Sequence, residues 1–239
     1  MNKTFKDELV SVIIRTKDRP IFLKRAIDSV YSQTYSNIEI VIVNDNGCDL
    51  SEIINYYKSL KCDKGISRKI EYIYNKRCLK RAGAANVGLV SAKGKYIGFL
   101  DDDDYYFADH ILSHVSAQKT HKKLFSISIA TESIEDMKMR QKERVYRFPR
   151  DLNKISLLFF ENYFPFNSMV FQKSVIKTIG ILDEDRWVLE DWDFIIRLFL
   201  QFEPVLINSV TCEYSTRGDS STVRNNFEYR QVWKDNFMA

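Results

Sequence analysis

The most constraining feature of this sequence is a run of four aspartates that directly follows an apolar segment. The apolar segment is residues 96–100, and the aspartates occupy residues 101–104. Four adjacent carboxylates repel one another and destabilise a folded chain unless positive charge neutralises them. Hard divalent cations such as Mg²⁺ and Mn²⁺ take oxygen ligands of this kind and often complete their coordination with substrate phosphates. We therefore expect a metal–phosphate site at the carboxyl end of a buried strand.

The first half of the chain alternates between strand-like and helix-like segments. Apolar strand-like runs and helical patterns follow one another at residues 10–14, 20–31, 38–43, 53–60, 70–74, 84–92 and 96–100. Such alternation predicts right-handed βαβ units and a parallel sheet covered on both faces. Ligands of these sheets bind outside the carboxyl ends of the strands. Because Arg15, Thr16, Asp45 and the four aspartates all follow strands, we expect them to converge on one crevice.

The pattern changes after about residue 124, and no linker separates the two halves. The second half contains further strand-like and helix-like segments at residues 124–129, 152–160, 168–171, 175–179, 190–202 and 205–210. The highly charged residues 132–147 are predicted to form a loop. We predict one α/β domain over residues 1–239, in which residues 124–239 complete the half formed by residues 8–123.

A second acidic cluster opens the helix predicted at residues 190–202. Asp191 lies four residues before Ile195, so its carboxylate projects from the inward face of that helix. A carboxylate in this place either satisfies the positive helix start or acts as a general base. Asp193 has a simpler explanation, because Arg197 lies at the i+4 position and can form an ion pair with it. Together with the acidic run, Asp191 is the candidate base.

Composition excludes several classes of function. The net charge of +4, from 36 basic and 32 acidic residues, does not indicate nucleic-acid binding but suits a phosphate pocket or an anionic membrane surface. No apolar run approaches the roughly 20 residues that span a bilayer. Residues 1–9 are unlike a secretory signal, and the four cysteines have no CxxC spacing. We therefore expect no zinc site, a reducing cytoplasm, and a solvent-exposed pair at His110 and His114.

The chain resembles the family 2 glycosyltransferases, which are inverting nucleotide-sugar enzymes. The motifs that carry this resemblance follow one another in order at residues 11–14, 26–30, 33–40, 84–88, 92–97, 99–104, 168–171 and 190–193. The resemblance implies the GT-A fold, a Rossmann-like α/β architecture whose central, mostly parallel sheet is flanked by helices. It also implies that residues 8–123 bind the nucleotide sugar and that residues 124–239 form the acceptor side.

The resemblance assigns roles to individual acidic residues. Asp45 matches the residue that hydrogen-bonds the nucleotide base. Asp103 matches the direct metal ligand and Asp101 its companion, while Asp101 or Asp102 lies nearer the sugar or ribose. Asp191 matches the general base that deprotonates the acceptor hydroxyl. Asp104 has no assigned role, and we expect it only to start the next helix.

Four basic or polar residues complete the predicted donor site. Arg15 and Thr16 follow the first strand. The family carries an arginine where this chain has Ala85, and either Lys80 or Arg81, just upstream, is expected to supply that charge. Arg217 is expected in a loop after the last strand, folding over the diphosphate.

The resemblance implies a Mn²⁺- or Mg²⁺-dependent inverting hexosyl- or N-acetylhexosaminyl-transferase. Its donor would be a nucleotide-diphosphate sugar, UDP-linked by resemblance, and its acceptor a glycan or lipid-linked glycan of bacterial surface polysaccharide synthesis. A sugar-nucleotide nucleotidyltransferase is the alternative enzyme, but residues 15–20 lack the glycine-rich loop it needs. A non-catalytic nucleotide- or glycan-binding module is a further alternative function. Assembly into a homo-oligomer and peripheral contact with the inner face of the cell membrane are both compatible with this sequence.

Overall fold

The structure is a computed structural model that describes residues 7–63, 65–135, 141–147, 158, 162, 164–186 and 188–217. Its strands are β1 (Val10–Thr16), β2 (Asn37–Asn44), β3 (Ser67–Tyr74), β4 (Tyr96–Asp101), β5 (Tyr105–Tyr106), β6 (Phe125–Glu135), β7 (Gln141–Arg147), β8 (Met169–Gln172) and β9 (Val205–Arg217). Its helices are α1 (Pro20–Tyr31), α2 (Ser51–Ser59), α3 (Lys80–Ser91), α4 (His110–His121), α5 (Ile176–Ile179) and α6 (Glu190–Gln201). Within these residues the strands form one sheet in the order β3-β2-β1-β4-β8-β6-β9-β5, and β7 pairs with β6.

Strands β3, β2, β1 and β4 are parallel, as the sequence predicts. Their register aligns the strand ends, since Arg15 lies opposite Val43 on one side and Asp101 on the other, and Thr16 lies opposite Asn44. The carboxyl ends of three neighbouring strands therefore meet at one edge of the sheet.

The two faces of the parallel strands pack into separate apolar clusters. Ile13 belongs to a cluster with α3 and α6, whereas Ile14 belongs to a cluster with α1, α2 and α4. Helix α3 approaches the sheet closely, as its stripe of small residues predicts. A Cβ atom added at Gly88 would lie 2.4 Å from the Cγ2 atom of Ile13, so only glycine fits at this contact.

The second half of the sheet is mixed. Strand β8 is antiparallel to both β4 and β6, β9 is parallel to β6, and β5 is antiparallel to β9. Parallel pairing therefore predominates in the first half only. The sheet nevertheless continues across residue 124, where the sequence pattern changes.

The prediction that residues 132–147 form a loop is wrong for residues 132–135 and 141–147, while residues 136–140 lie outside the described residues. Strand β6 extends to Glu135, and β7 pairs with it antiparallel over residues 141–147. Within β6, the buried carboxylate of Glu135 is paired with Arg25 and Arg217, so this charge is compatible with a strand. The helix predicted at residues 152–160 lies outside the described residues, apart from Leu158.

The prediction that His110 and His114 are solvent-exposed is also wrong. Both are fully buried on the inner face of α4. The Nδ1 atom of His110 lies 2.7 Å from the Oγ1 atom of Thr211, and that of His114 lies 2.7 Å from the Oγ atom of Ser126. Hydroxyl groups on β9 and β6 thus supply the partners that let imidazoles replace apolar side chains.

None of the helices in the described part of the chain is both long and apolar enough to span a bilayer.

Candidate active site

The four aspartates of the acidic turn (residues 101–104) alternate between accessible and buried positions. The side chains of Asp101 and Asp103 are 31% and 18% exposed. Asp102 and Asp104 are buried, at 4% and 2%. Because β4 ends at Asp101, this alternation leaves two carboxylates in an Asp-x-Asp arrangement at the edge of the sheet.

Asp102 connects the acidic turn to β1. Its Oδ2 atom accepts a hydrogen bond of 2.7 Å from the Oγ1 atom of Thr16, and its Oδ1 atom lies 3.3 Å from Nη1 of Arg19. Burial and the adjacent Asp103 charge raise the pKa of Asp102 to about 7, although Arg19 and Thr16 oppose that shift. Thr16 therefore positions an aspartate of the turn.

Asp104 connects the acidic turn to the second half of the sheet. It accepts hydrogen bonds of 3.0 Å from Nδ2 of Asn167 and 2.8 Å from the backbone N–H of Ser215. Burial, together with repulsion from Asp103 and Asp101, raises its pKa well above the ordinary value. The expectation that Asp104 only starts a helix is wrong, since the next element is β5.

Asp103 is enclosed by two arginines. Its Oδ2 atom accepts a hydrogen bond of 2.9 Å from Nη1 of Arg19 and another from Nη2 of Arg217. Arg217 also lies 3.3 Å from Glu135, and its guanidinium stacks 4.4 Å from the ring centre of Phe22. The prediction that Arg217 lies in a loop is wrong because β9 extends to it, while residues 218 and 219 lie outside the described residues.

A closed ring of ion pairs occupies the other side of the turn. Arg15 lies 2.7 Å from Asp101 and 2.9 Å from Glu190. Arg81 lies 3.3 Å from the same oxygen of Glu190 and 3.8 Å from Asp101. Although burial opposes ionisation, Arg15 and Arg81 hold the pKa of Asp101 at about 2. Asp101 is therefore ionised, and the ring joins the end of β4 to the start of α6.

Asp191 lies beside this ring, at the start of α6. Its Oδ1 atom accepts a hydrogen bond of 2.8 Å from the backbone N–H of Trp192. Burial and the Glu190 charge raise its pKa, and Arg81 and Arg15 oppose that shift. A carboxylate with a raised pKa is a stronger base than an ordinary surface carboxylate, which suits general-base chemistry. The structure thus brings Asp191 next to Arg15, Arg81 and the ring that contains Asp101.

Asp45 lies on a third side, under the start of α3. Its two oxygens accept hydrogen bonds from Asn75 Nδ2 at 2.9 Å, from the backbone N–H groups of Leu79 and Lys80 at 2.8 and 2.9 Å, and from the thiol of Cys78 at 3.1 Å. Asp45 is 6% exposed. In this structure it therefore fixes the loop before α3, and its contact with a nucleotide base stays a prediction.

Backbone strain is concentrated around the site. Among the described residues, the non-glycine positions with positive φ are Asp18, Asn46, Lys80, Lys122 and Leu189. Four of them follow β1 or β2 or begin α3 and α6, the elements that carry the site, and the exception ends α4. Left-handed backbone costs about 1–2 kcal/mol at a residue such as Lys80 or Leu189, whereas Asp18 and Asn46 are of the types that adopt it readily in turns.

The carboxylates fit a divalent metal that is completed by substrate. Within the described ranges, no group of three or more His, Cys, Asp or Glu side chains is arranged to hold a metal alone. Mg²⁺ and Mn²⁺ need no such cage, because they are commonly held by one or two carboxylates together with substrate phosphates. Asp101 and Asp103 are the two accessible carboxylates of the turn, and they are the candidates to hold the ion.

Three residues of the site are not predicted by the sequence patterns. Glu190 is one of them. Its position at a helix start, next to the candidate base Asp191, is the feature of the sequence that could have indicated a role in the site. Arg19 and Arg25 are the others: Arg19 directly precedes α1, and Arg25 lies in the middle of that helix. Arg25 donates to the backbone oxygen of Asp103 and to Ser215 Oγ at 3.1 Å. The site therefore contains more arginine than the sequence suggests.

Comparison with known proteins supports a common origin. The family model described as "Glycosyl transferase family 2" matches residues 11–180. A relative from Escherichia coli, "UDP-Glc:alpha-D-GlcNAc-diphosphoundecaprenol beta-1,3-glucosyltransferase WfaP", is 39% identical over 122 residues, which cover 51% of this chain and 45% of the relative. The match thus spans less than half the length of that curated relative.

Solved structures share the fold. Staphylococcus aureus TarS in complex with UDP-GlcNAc aligns with a TM-score of 0.65 at 16% identity, over 90% of this chain and 60% of that one. The mannosyltransferase PcManGT from Pyrobaculum calidifontis, in complex with GDP-Man and Mn²⁺, aligns with a TM-score of 0.63 at 14% identity, over 93% of this chain and 60% of that one. The predicted GT-A fold is confirmed by these likenesses.

Proposed function

Because the chain belongs to glycosyl transferase family 2, we propose that it transfers a sugar, with inversion, from a UDP-sugar to a lipid-linked glycan acceptor in a reaction that needs Mn²⁺ or Mg²⁺. One observation carries this proposal. The accessible carboxylates Asp101 and Asp103 lie at the strand ends, and an ion-pair ring connects Asp101 to the start of α6, where Asp191 projects.

On the donor side, the acidic turn and its arginines bind opposite parts of a metal diphosphate. Asp101 and Asp103 would hold the metal ion, which when bound supplies positive charge for the departing diphosphate. Arg19 and Arg217 already bind the Asp103 carboxylate and can bind phosphate oxygens with the same N–H groups. The donor site therefore combines carboxylates for the metal with guanidinium groups for the phosphates.

On the acceptor side, Asp191 would remove the proton of the attacking hydroxyl. Its burial raises the pKa of its carboxyl, and Trp192 holds its orientation through the backbone N–H. The indole N–H of Trp192 donates to the carbonyl of Leu158 at 2.7 Å, which fixes the helix start. A base held beside the donor site supports a single displacement, and thus inversion.

The donor and acceptor classes rest on the relatives. The printed name of WfaP gives a UDP-glucose donor and a GlcNAc-diphosphoundecaprenol acceptor. The TarS complex holds UDP-GlcNAc, whereas the PcManGT complex holds GDP-Man and Mn²⁺. We infer UDP from the first two, and a GDP-sugar is the outcome that would revise this choice. A cytoplasmic location and peripheral membrane contact stay predictions.

The test has a binding part and a transfer part. Calorimetric titration with UDP, GDP and CMP, each with and without Mn²⁺, should show metal-dependent binding of UDP. A panel of nucleotide sugars with a polyprenyl-diphosphate GlcNAc acceptor should show transfer from a UDP-sugar. Binding that needs no metal, without transfer or donor hydrolysis, would instead indicate a binding module.

Two variants separate the two sides of the site. Asp103→Ala should weaken Mn²⁺-dependent UDP binding, because it removes a ligand of the ion. Asp191→Asn should keep that binding and lower transfer by about 100-fold or more, since it removes the base. Asp193→Asn is the matched control on the same helix, because Asp193 pairs with Arg197 instead. Undiminished transfer by Asp191→Asn would exclude the assigned base.

A further inference from the structure

Glu190 is the buried acid of the ion-pair ring. It is 1% exposed, and its Oε1 atom accepts from Nη1 of Arg15 at 2.9 Å and lies 3.3 Å from Nε of Arg81. Its Oε2 atom is buried and has no hydrogen-bond partner among the described residues. Arg15 further donates to the backbone oxygen of Arg81 at 3.1 Å. Both arginines are thus held between Glu190 and Asp101.

Stability alone is a weak reason for such a ring. Moving charges out of water costs several kcal/mol for each ion, and well-packed apolar side chains would stabilise a core as well or better. The ring also lies beside Asp191. Burial raises the pKa of Asp191, the negative charge of Glu190 raises it further, and the positive charges of Arg81 and Arg15 lower it. The same three groups therefore set the electrostatic environment of the residue next to Glu190.

We propose that Glu190 is a positioning residue for Asp191, acting through Arg15 and Arg81. It fixes the two guanidinium groups, balances their charge where α6 begins, and so keeps Asp191 free to accept a proton from the acceptor. This inference rests on the assignment of Asp191 as the base in the proposed function.

The negative and positive charges of the ring have opposite effects on the pKa of Asp191. Removing the negative charge of Glu190 leaves the arginine charges unbalanced, so the pKa of Asp191 falls and the carboxylate becomes a weaker base. Removing the positive charge of Arg81 does the reverse and raises that pKa. General loss of structure would not produce two shifts of opposite sign.

The direct experiment is a titration of side-chain carboxyl groups by ¹³C NMR, in the full chain with ¹³C-labelled aspartate and without donor. Asp191→Asn identifies the Asp191 signal. We expect a lower Asp191 pKa in Glu190→Gln, a higher one in Arg81→Gln, and an unchanged one in Asp193→Asn. Glutamine keeps the shape and one acceptor atom of Glu190, so the variant tests the charge itself.

A kinetic experiment gives a second readout. In Glu190→Gln we expect kcat to fall about tenfold or more, with the acid limb of its pH profile moved to lower pH. Glu190→Asp keeps the charge and should return that limb to the wild-type position. In Glu190→Gln, affinity for UDP with Mn²⁺ should change less than kcat, because Glu190 reaches Asp101 only through Arg15 and Arg81, whereas a general loss of structure would lower both together.

The outcomes separate this inference from the proposed function. An Asp191 pKa that is the same in Glu190→Gln as in wild type, or that moves in the same direction as in Arg81→Gln, overturns it. If Glu190→Gln does not fold, Arg81→Gln decides, because the Arg81 side chain is 45% exposed and its replacement should leave the fold intact. No shift in that variant also overturns the inference. If the variants show the expected pKa shifts but the wild-type protein transfers no sugar, the result counts against the proposed function alone.

Discussion

Strands β1 and β6 are both almost completely buried, yet they are buried by different chemistry. Strand β1 contributes Val10, Val12, Ile13 and Ile14 to the apolar clusters. Strand β6 and its partner β9 instead bury a row of polar side chains: Ser126, Ser128, Thr131, Ser133, Glu135, Thr211, Glu213, Ser215 and Arg217. The parallel half is thus stabilised mainly by apolar burial, whereas the mixed half combines apolar burial, at Phe125 and Ile127 for example, with specific hydrogen bonds.

The difference determines how each region responds to change. Apolar burial has no preferred direction and scales with the area removed from water. A buried polar group needs its own partner, and loss of that partner leaves a desolvated donor or acceptor. The parallel half should therefore respond to changes in volume, and the mixed half to changes in hydrogen bonding and pH.

The largest expected effect is in the parallel half. Ile13→Ala should lower the free energy of unfolding by about 2–5 kcal/mol, because it leaves a cavity between β1 and α3. Urea unfolding followed by circular dichroism measures this. Ile21→Ala is the control, since Ile21 is 65% exposed and should change stability by about 0.5 kcal/mol at most. Equal losses in the two variants would contradict the apolar role of β1.

The next effect is in the mixed half. Ser126→Ala removes the partner of His114 Nδ1 at 2.7 Å and of Gln118 Nε2 at 2.9 Å. We expect a loss of about 1–3 kcal/mol, although the volume change is only one oxygen atom. The control is Ser59→Ala at an exposed site. A neutral Ser126→Ala would show that β6 is held by apolar packing, as β1 is.

A smaller effect concerns pH. Burial lowers the pKa of His114 from 6.5 to about 3 and that of His110 well below 6.5. Between the folded and unfolded pKa values the unfolded chain binds more protons than the folded one, so stability falls as pH falls. Each histidine should contribute a loss of about 1 kcal/mol between pH 6.5 and 5.5.

The measurement is the difference in this pH dependence between wild type and His114→Asn, in metal-free buffer. The difference is used because Asp102 and Asp104 have raised pKa values and act in the opposite direction. His114→Asn should remove the part of the pH dependence that His114 contributes, and His121→Gln, which replaces an exposed histidine, is the control. Identical pH dependence in all three proteins would contradict the burial of His114 as a neutral imidazole.

The smallest effect is at a partly exposed ion pair. Asp193 lies 2.8 Å from Arg197, with side chains 19% and 29% exposed. Asp193→Asn should cost less than about 1 kcal/mol, because solvent screens such pairs. Thermal unfolding at low and high salt measures it. A loss as large as that of Ser126→Ala would show that charge near the surface matters as much as buried polarity.

The same difference explains how far the sequence predicts the fold. Strands β1, β2 and β4 and helices α1, α3 and α6 are predictable because their apolar residues recur with the period of the element. Helix α4 is not, because it buries the polar side chains of His110, His114 and Gln118 beside Ile111 and Val115, which interrupts the apolar pattern. Strand β7 and the far end of β6 escape prediction because their charged sequence resembles a loop.

For the site, the sequence predicts which acidic residues take part, but it does not predict which ion pairs they form. Asp101, Asp103 and Asp191 stand out because each follows a strand or opens a helix with a clear pattern. The pairing of Glu190 with Arg15 joins residues 175 positions apart, and that of Arg217 with Asp103 joins residues 114 positions apart. No local pattern carries that information, since such contacts exist only once the sheet is assembled.

The hydrogen bond between Asp104 and the backbone of Ser215 has a consequence for biosynthesis. It joins residues 111 positions apart, so the carboxylate leaves the ribosome long before its partner has been translated. Until β9 docks, a buried Asp104 would lack that donor, and the nascent parallel half would lack the contact that holds the acidic turn in place. A polypeptide that stops before Ser215 would therefore carry every aspartate of the turn without the geometry of the site, and competence for metal and donor should arise only after β9 has been translated and has docked.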